Sequence, residues 1–264
     1  MKPGFIKYIV KKYWYLLKFR KASGKAVQQA VFSRKKQYTR IALADYKAAF
    51  WDLYNVDGDD GLALYVTACL PDIPKKFIDI GSGNGIVSNC TALAIHDSWS
   101  GMMIDAEQRN HALGKYFHRI YNNNYQHIYW QQAFVTPQNI NQLITAYLSP
   151  VDEVGLLSID IDGNDYWIWK AISKKQPWVV IIEARIEFGK ENIIVPYGAE
   201  NHRDQQPDFH GASVTALVQL ATSKNYAMVA ANKRGYNLYF VRKDKMNESL
   251  REISVEEVMS NIFS

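Results

Sequence analysis

The sequence predicts an α/β fold, a Rossmann-like sheet of seven strands with helices on both faces, mostly parallel and ending on an antiparallel strand. Three observations predict it. Beyond Pro74, short apolar runs alternate with longer segments of helical periodicity, the pattern of βαβ units. A glycine-rich stretch, Gly81-Ser-Gly-Asn-Gly85, follows the first of those runs directly. The last two runs are separated only by Asn232-Lys-Arg-Gly235. That gap is too short for a crossover helix, so the final pair must be an antiparallel hairpin.

Taken in order, residues 77–80 read as a buried strand, 86–95 as a helix and 102–105 as a second strand. Residues 107–120 read as a helix, 128–134 as a strand and 138–148 as a helix. A fourth strand spans 154–161, a helix 166–173, and a Val- and Ile-rich fifth strand 178–184. A long irregular stretch, 189–211, precedes a helix at 214–224 and the closing strands 226–231 and 236–242. Before this domain, residues 41–74 read as a helical extension of two segments separated by Asp57-Gly-Asp-Asp-Gly61. The ligands and closing Glu of a calcium loop do not follow, so a solvated turn is expected there. The divisions are thus 1–40, a basic amphipathic arm; 41–74, the extension; 75–243, the α/β domain; and 244–264, a tail.

Charge is unevenly spread. Residues 1–44 carry twelve Lys or Arg and no Asp or Glu, whereas the remainder has 19 basic against 26 acidic residues. Within 5–21, Ile6, Ile9, Val10, Tyr13, Leu16 and Leu17 share a helical face, with Lys7, Lys11 and Lys18 mostly elsewhere. Such a helix suits peripheral contact with an anionic membrane or packing on the domain. No nucleic-acid module accompanies it, which argues against nucleic acid as a partner. No apolar run reaches the roughly 18–20 residues of a membrane span, and the lysines of the first twenty residues do not fit a secretory signal. Cys69 and Cys90, the two cysteines, lie in apolar segments and read as buried thiols. A cytoplasmic location, or the inner membrane face, is expected.

In a doubly wound sheet, ligands bind beyond the carboxyl ends of the strands. The Gly81–Gly85 loop lies there. A dinucleotide loop requires glycine at position 86, which here is Ile86; the third glycine is instead Gly85. The spacing Asp79-x-Gly-x-Gly-x-Gly is the form used to bind S-adenosylmethionine, which nominates Asp79, Gly81, Ser82, Gly83 and Gly85. Asp105, ending the second strand, can accept hydrogen bonds from both ribose hydroxyls, or cap the helix that follows. Gln132 and Ala133, ending the third strand, are placed by topology at the adenine edge.

The fourth strand delivers Asp160, Asp162 and Asp165 within six residues. Crowded like charges raise one another's pKa, so the cluster suggests cofactor binding, proton abstraction or a metal. Asp160 is the candidate nearest the cofactor's methionine end. Asp162 and Asp165 are candidate catalytic bases, with His202 and His210 as further ones. Asp160, Asp162 and Glu183 form a candidate Mg²⁺ site, Glu187 lying close in sequence; pairing of Glu183 with Arg185 is the structural alternative. No Pro-Pro-aromatic turn of the kind used against bases and amides follows the strand, which favours an oxygen acceptor.

With these residues in place, the chain resembles the FkbM-type class I methyltransferases over roughly residues 75–242. The resemblance rests on Asp79–Gly85, Trp99-Ser-Gly-Met-Met-Ile-Asp105, Ser158-Ile-Asp-Ile-Asp-Gly163 and Tyr239-Phe-Val-Arg242. Asp162 stands where that family usually has Glu. The chain is also similar to macrolide-sugar O-methyltransferases, with one residue more between its carboxylates. The resemblance implies S-adenosylmethionine-dependent methylation of a hydroxyl on a sugar, glycan or small metabolite. The alternatives are a nucleic-acid methyltransferase using the arm, and a non-catalytic cofactor-binding partner protein.

Overall fold

The computed structural model describes residues 13–39, 45–198 and 210–262. Its sheet contains β1 (Lys76–Ile80), β2 (Ser100–Asp105), β3 (Ile128–Gln132), β4 (Leu156–Ile159), β5 (Val179–Glu183), β6 (Tyr226–Ala231) and β7 (Asn237–Arg242), in the order β3-β2-β1-β4-β5-β7-β6. The pairs among β1 to β5 are parallel, and β7 runs antiparallel to both β5 and β6. This is the sheet the sequence predicts, hairpin included. Apart from Ser158 and the terminal Glu183, β4 and β5 are apolar on both faces because helices cover both, and Leu156, Leu157, Val179, Val180 and Ile181 are wholly buried.

The helices are α1 (residues 13–19), α2 (Lys25–Tyr38), α3 (Asp59–Ala68), α4 (Thr91–His96), α5 (Gln108–Tyr121), α6 (Ile140–Tyr147), α7 (Asp165–Ala171), α8 (Val214–Ser223) and α9 (Val255–Ile262). The order of strands reverses direction between β1 and β4. Right-handed crossovers therefore put α4 and α5 on one face of the sheet and α6, α7 and α8 on the other. The same reversal parts the loops after β1 and β4 and opens a crevice between them.

Several local expectations are corrected. The helix expected over 86–95 begins only at Thr91. Asn84 Oδ1 accepts from the amides of Ile86 and Val87, a side-chain turn that competes with helix formation. Of the two helices expected in the extension, the first is only a 3₁₀ turn at Tyr46–Ala49 among the described residues. The acidic turn is not solvated. Asp59 and Asp60 are 2% and 0% exposed and open α3, all of whose residues are buried. Asp60 Oδ2 accepts from the amides of Leu53, Tyr54 and Asn55, each at 2.8 Å. Asp59 accepts from Asn232, Asn237 and Tyr239. The segment read as a tail also folds: Leu250, Ile253, Val258 and Met259 are buried, and the Ile253 amide donates to Met228 O. Cys69 and Cys90 are buried free thiols, as expected.

Candidate functional site

The glycine loop crosses the ends of three strands. Gly81 and Ser82 donate their amides to Ile104 O at 2.9 and 3.0 Å, which lashes the loop to β2. Gly81 has φ +79, and a β-carbon there would stand 1.7 Å from Asp160 O. Only glycine lets β1 turn beneath the end of β4. Gly83, at φ +54, differs: a β-carbon built on it meets nothing within 4 Å. Its amide donates to Asp105 Oδ2 at 2.9 Å. The position is an open cradle, which suits the close approach of a ligand.

Beside the loop lies a cleft of about 510 Å³. Gly81, Gly83, Asp105, Ala133 and Phe134 line one part of it, and Asp160, Ile161 and Asp162 another. Five residues nominated from sequence therefore meet in one cavity: Gly81, Gly83, Asp105, Ala133 and Asp160, with the candidate base Asp162 beside them. The volume falls in the range of small-molecule sites. Phe134 is 69% exposed, an apolar ring at the mouth.

The other nominated residues support the cavity from outside its lining. Asp79 is buried under the loop and accepts from Ser88 Oγ at 2.5 Å. Burial raises its carboxyl to about 6, against the lowering effect of hydrogen bonds from Ser88 and Ser158. Ser158 in turn accepts from Asn89, whose Oδ1 accepts from Asn55. A polar chain thus ties the extension to the floor of the site. Ser82 is buried, with its hydroxyl on Ile104 O. Gly85 O takes a 2.7 Å hydrogen bond from His118 Nε2; the tautomer follows from Asn122 Nδ2 donating to Nδ1. Burial holds His118 neutral, with its pKa lowered to about 4. Gln132 is not part of the cleft lining, and its side chain donates to Ala106 O at the cleft edge.

Asp165, a candidate base from sequence, is placed inside the turn after β4. It is 2% exposed, and its two oxygens accept from the amides of Ile161 and Gly163, each at 2.9 Å. Those bonds hold Asp162 at φ +58 on the cleft surface. Burial still raises the Asp165 carboxyl despite the two amides.

Asp160, Asp162 and Glu183 converge, with one oxygen of each lying within 4.8 Å of the others. Asp160 reaches the cleft surface, but protein crowds it on its remaining sides. Burial, then Asp165, Asp162, Asp79 and Asp59, raise its carboxyl to about 7. Glu183 is pushed well above the carboxylate range by burial and then by Asp165, Asp160 and Asp162. Arg185 does not pair with it; its Nε lies 3.3 Å from Glu187. His210 is buried rather than a solvated loop residue, and His202 lies outside the described residues.

Sequence reasoning missed Ala106, Asn110, Val135 and Asn164, which also line the cleft, and His118 beneath the loop. His118 had a legible signal: His111, Gly114 and His118 recur at helical spacing on the buried face of α5. The others depend on how the strand ends splay.

No protein-family model matches the chain, and no curated protein matches it. Solved structures of similar fold include an O-methyltransferase from Bacillus cereus in complex with SAH, at 15% identity and a TM-score of 0.47, over 81% of this chain and 95% of that one. An O-methyltransferase family protein from Burkholderia thailandensis shares 10% identity, over 83% of this chain and 70% of that one, with a TM-score of 0.43. NcsB1, an O-methyltransferase from neocarzinostatin biosynthesis solved with S-adenosyl-L-homocysteine and 1,4-dihydroxy-2-naphthoic acid, shares 16% identity with a TM-score of 0.38. The match covers 64% of this chain, which spans 49% of NcsB1.

Proposed function

We propose that the chain is an S-adenosylmethionine-dependent O-methyltransferase acting on a hydroxyl of a sugar, glycan or small metabolite. The observation that carries this reading is the single cleft shared by the open Gly83 cradle, Asp105 and the carboxylates after β4. The residues fit the cofactor. Gly83 leaves room for close approach, and Asp105 retains lone pairs for ribose hydroxyls beyond those given to Gly83, Glu107 and Asn110. Phe134 offers an apolar surface beside the adenine position.

When bound, the cofactor supplies an electrophilic methyl group. The protein's part is to align an acceptor oxygen and to remove its proton. Asp162 is the proposed base, because it is exposed to the cleft where Asp165 is not. Asp160 supplies negative charge toward the cationic end of the cofactor. The FkbM-type assignment is the finer form of this reading and rests on the spacing of Asp79–Gly85 and Asp160–Gly163. The test is transfer of isotope-labelled methyl from S-adenosylmethionine into glycan, lipid and metabolite fractions. Label in a hydroxyl ether supports the reading; a thermal shift with NAD and none with S-adenosylmethionine overturns it.

A second reading adds Mg²⁺, favoured by the convergence of Asp160, Asp162 and Glu183. Their all-oxygen donor set suits the ion, and a cation would relieve the repulsion that raises Asp160 and Glu183. These three would hold it, and it would polarise the acceptor oxygen. Loss of turnover in EDTA with recovery on Mg²⁺ supports the ion; full turnover in EDTA removes it.

A further inference from the structure

We propose that the N-terminal face of the protein docks on an anionic lipid surface, with Tyr13, Trp14 and Leu17 entering the interface and Lys18, Arg20, Lys21 and Lys25 meeting the headgroups. Helix α1 is fixed by its inner side. Phe19 is buried, its ring 5.5 Å from Tyr54 and 6.2 Å from Phe117. Tyr121 Oη donates to Leu16 O at 3.2 Å. Beyond the helix, Ser23 Oγ hydrogen-bonds Tyr54 Oη at 2.9 Å.

With that side held, the outer side is presented to solvent. Tyr13, Trp14 and Leu17 are 60%, 51% and 71% exposed. Single exposed apolar residues are ordinary. Here three share about one turn of helix, and α5, which holds Leu16 through Tyr121, adds exposed Tyr116 and Ile120. Such a grouping marks an interaction surface.

Charge selects the occupant. Lys18, Arg20, Lys21 and Lys25 are all exposed, and Lys18 Nζ lies 4.7 Å over the Trp14 ring. The first 44 residues hold twelve cations and no anion, whereas the rest of the chain has an excess of acid. The exposed cations of this segment therefore draw it to a negative surface. Aromatic and aliphatic side chains with lysines around them suit the boundary between headgroups and acyl chains. Readout of nucleic acid would place the aromatics where bases stack, and no such module surrounds them.

The placement leaves the cleft open. Helix α5 begins just after Asp105 at the cleft edge and ends, roughly 20 Å further along, at the Tyr121 that holds α1. Docking through α1 therefore sets the cleft away from the lipid.

The test is co-sedimentation of the full chain with phosphatidylcholine vesicles, with and without about 30 mol% phosphatidylglycerol. The expected result is binding to the anionic vesicles alone, weakening as salt is added. Trp14→Ser with Leu17→Ser should weaken it about tenfold or more, with thermal unfolding unchanged because both side chains are exposed. Lys18→Glu, Arg20→Glu and Lys21→Glu should each cost about fivefold or more. No binding at low salt, equal binding to neutral vesicles, or undiminished binding by the Trp14/Leu17 variant overturns the proposal. Binding of RNA or duplex DNA that depends on these same residues, with vesicles ignored, overturns it too.

Discussion

The Gly83 amide donates to Asp105 Oδ2 at 2.9 Å, joining the glycine loop after β1 to the carboxylate that ends β2. Two motifs 22 residues apart in sequence are thus one device. The loop is held in its ligand-ready shape by the residue that would also take the ribose. Asp105→Ala should therefore weaken S-adenosylmethionine binding by about 10- to 100-fold, the loss of one charged hydrogen-bond acceptor at two places. Isothermal titration measures it, and an unchanged Kd removes Asp105 from the site.

Gly81 and Gly83 should respond differently to added side chains. Gly83→Val meets open space, so it should fold with a penalty of about 1–2 kcal/mol for its left-handed backbone. It should nevertheless lose the thermal shift that S-adenosylmethionine gives the unaltered protein. Gly81→Ala drives a β-carbon into Asp160 O and should fail to yield stable protein. Comparable stability of the two variants would contradict the loop geometry.

The carboxylates after β4 can be separated in the same way. Asp162→Asn sits on the cleft surface in a left-handed conformation that Asn tolerates. It should keep stability within about 0.5 kcal/mol and keep cofactor binding, while turnover is lost. Asp165→Asn leaves one of the Ile161 and Gly163 amides facing a donor. It should cost about 1–3 kcal/mol in chemical denaturation. If Asp165→Asn is neutral in stability and inactive, the roles given to the two residues are reversed.

The buried Asp59 predicts a pH effect of known sign. Burial raises its carboxyl to about 7, against hydrogen bonds from Asn232, Asn237 and Tyr239. Between the unfolded value near 3.9 and about 7, the folded state binds more protons, so this group's contribution to stability falls as pH rises. Asn at this position can accept from both asparagines and donate to Tyr239. Asp59→Asn should therefore be more stable than wild type at pH 8, on the order of 2–4 kcal/mol. The advantage should shrink steadily as pH falls toward 4. Urea midpoints across that range check it; a gap that widens toward acid would sink the assignment. His96 and His118, both lowered by burial to about 4, work in the opposite direction below about pH 6.5 in both proteins and cancel in the comparison.

The succession of strands along the chain, the hairpin and the glycine loop were legible because each is local. Alternation marks a strand, a four-residue gap forbids a crossover, and spacing separates Gly85 from a glycine at 86. The convergence of Asp160, Asp162 and Glu183 was also readable, since adjacent parallel strands end at one edge of the sheet. Burial across the fold was not. Asp57–Gly61 looks like a solvated turn, but it faces Asn232, Asn237 and Tyr239 from the far end of the chain, and those donors make an acidic interior tolerable. The helix expected from Ile86 gave way to Asn84, whose side chain offers the backbone a competing partner.

The sequence by itself determined the class of sheet, the edge at which a ligand sits and the residue types that reach it, because periodicity and turn chemistry act over a few residues. Tertiary structure decided which carboxylate faces the cleft. Asp162 and Asp165 are three residues apart and chemically identical. Only the folded turn, with the Ile161 and Gly163 amides closing on Asp165, turns one inward and leaves the other at the surface.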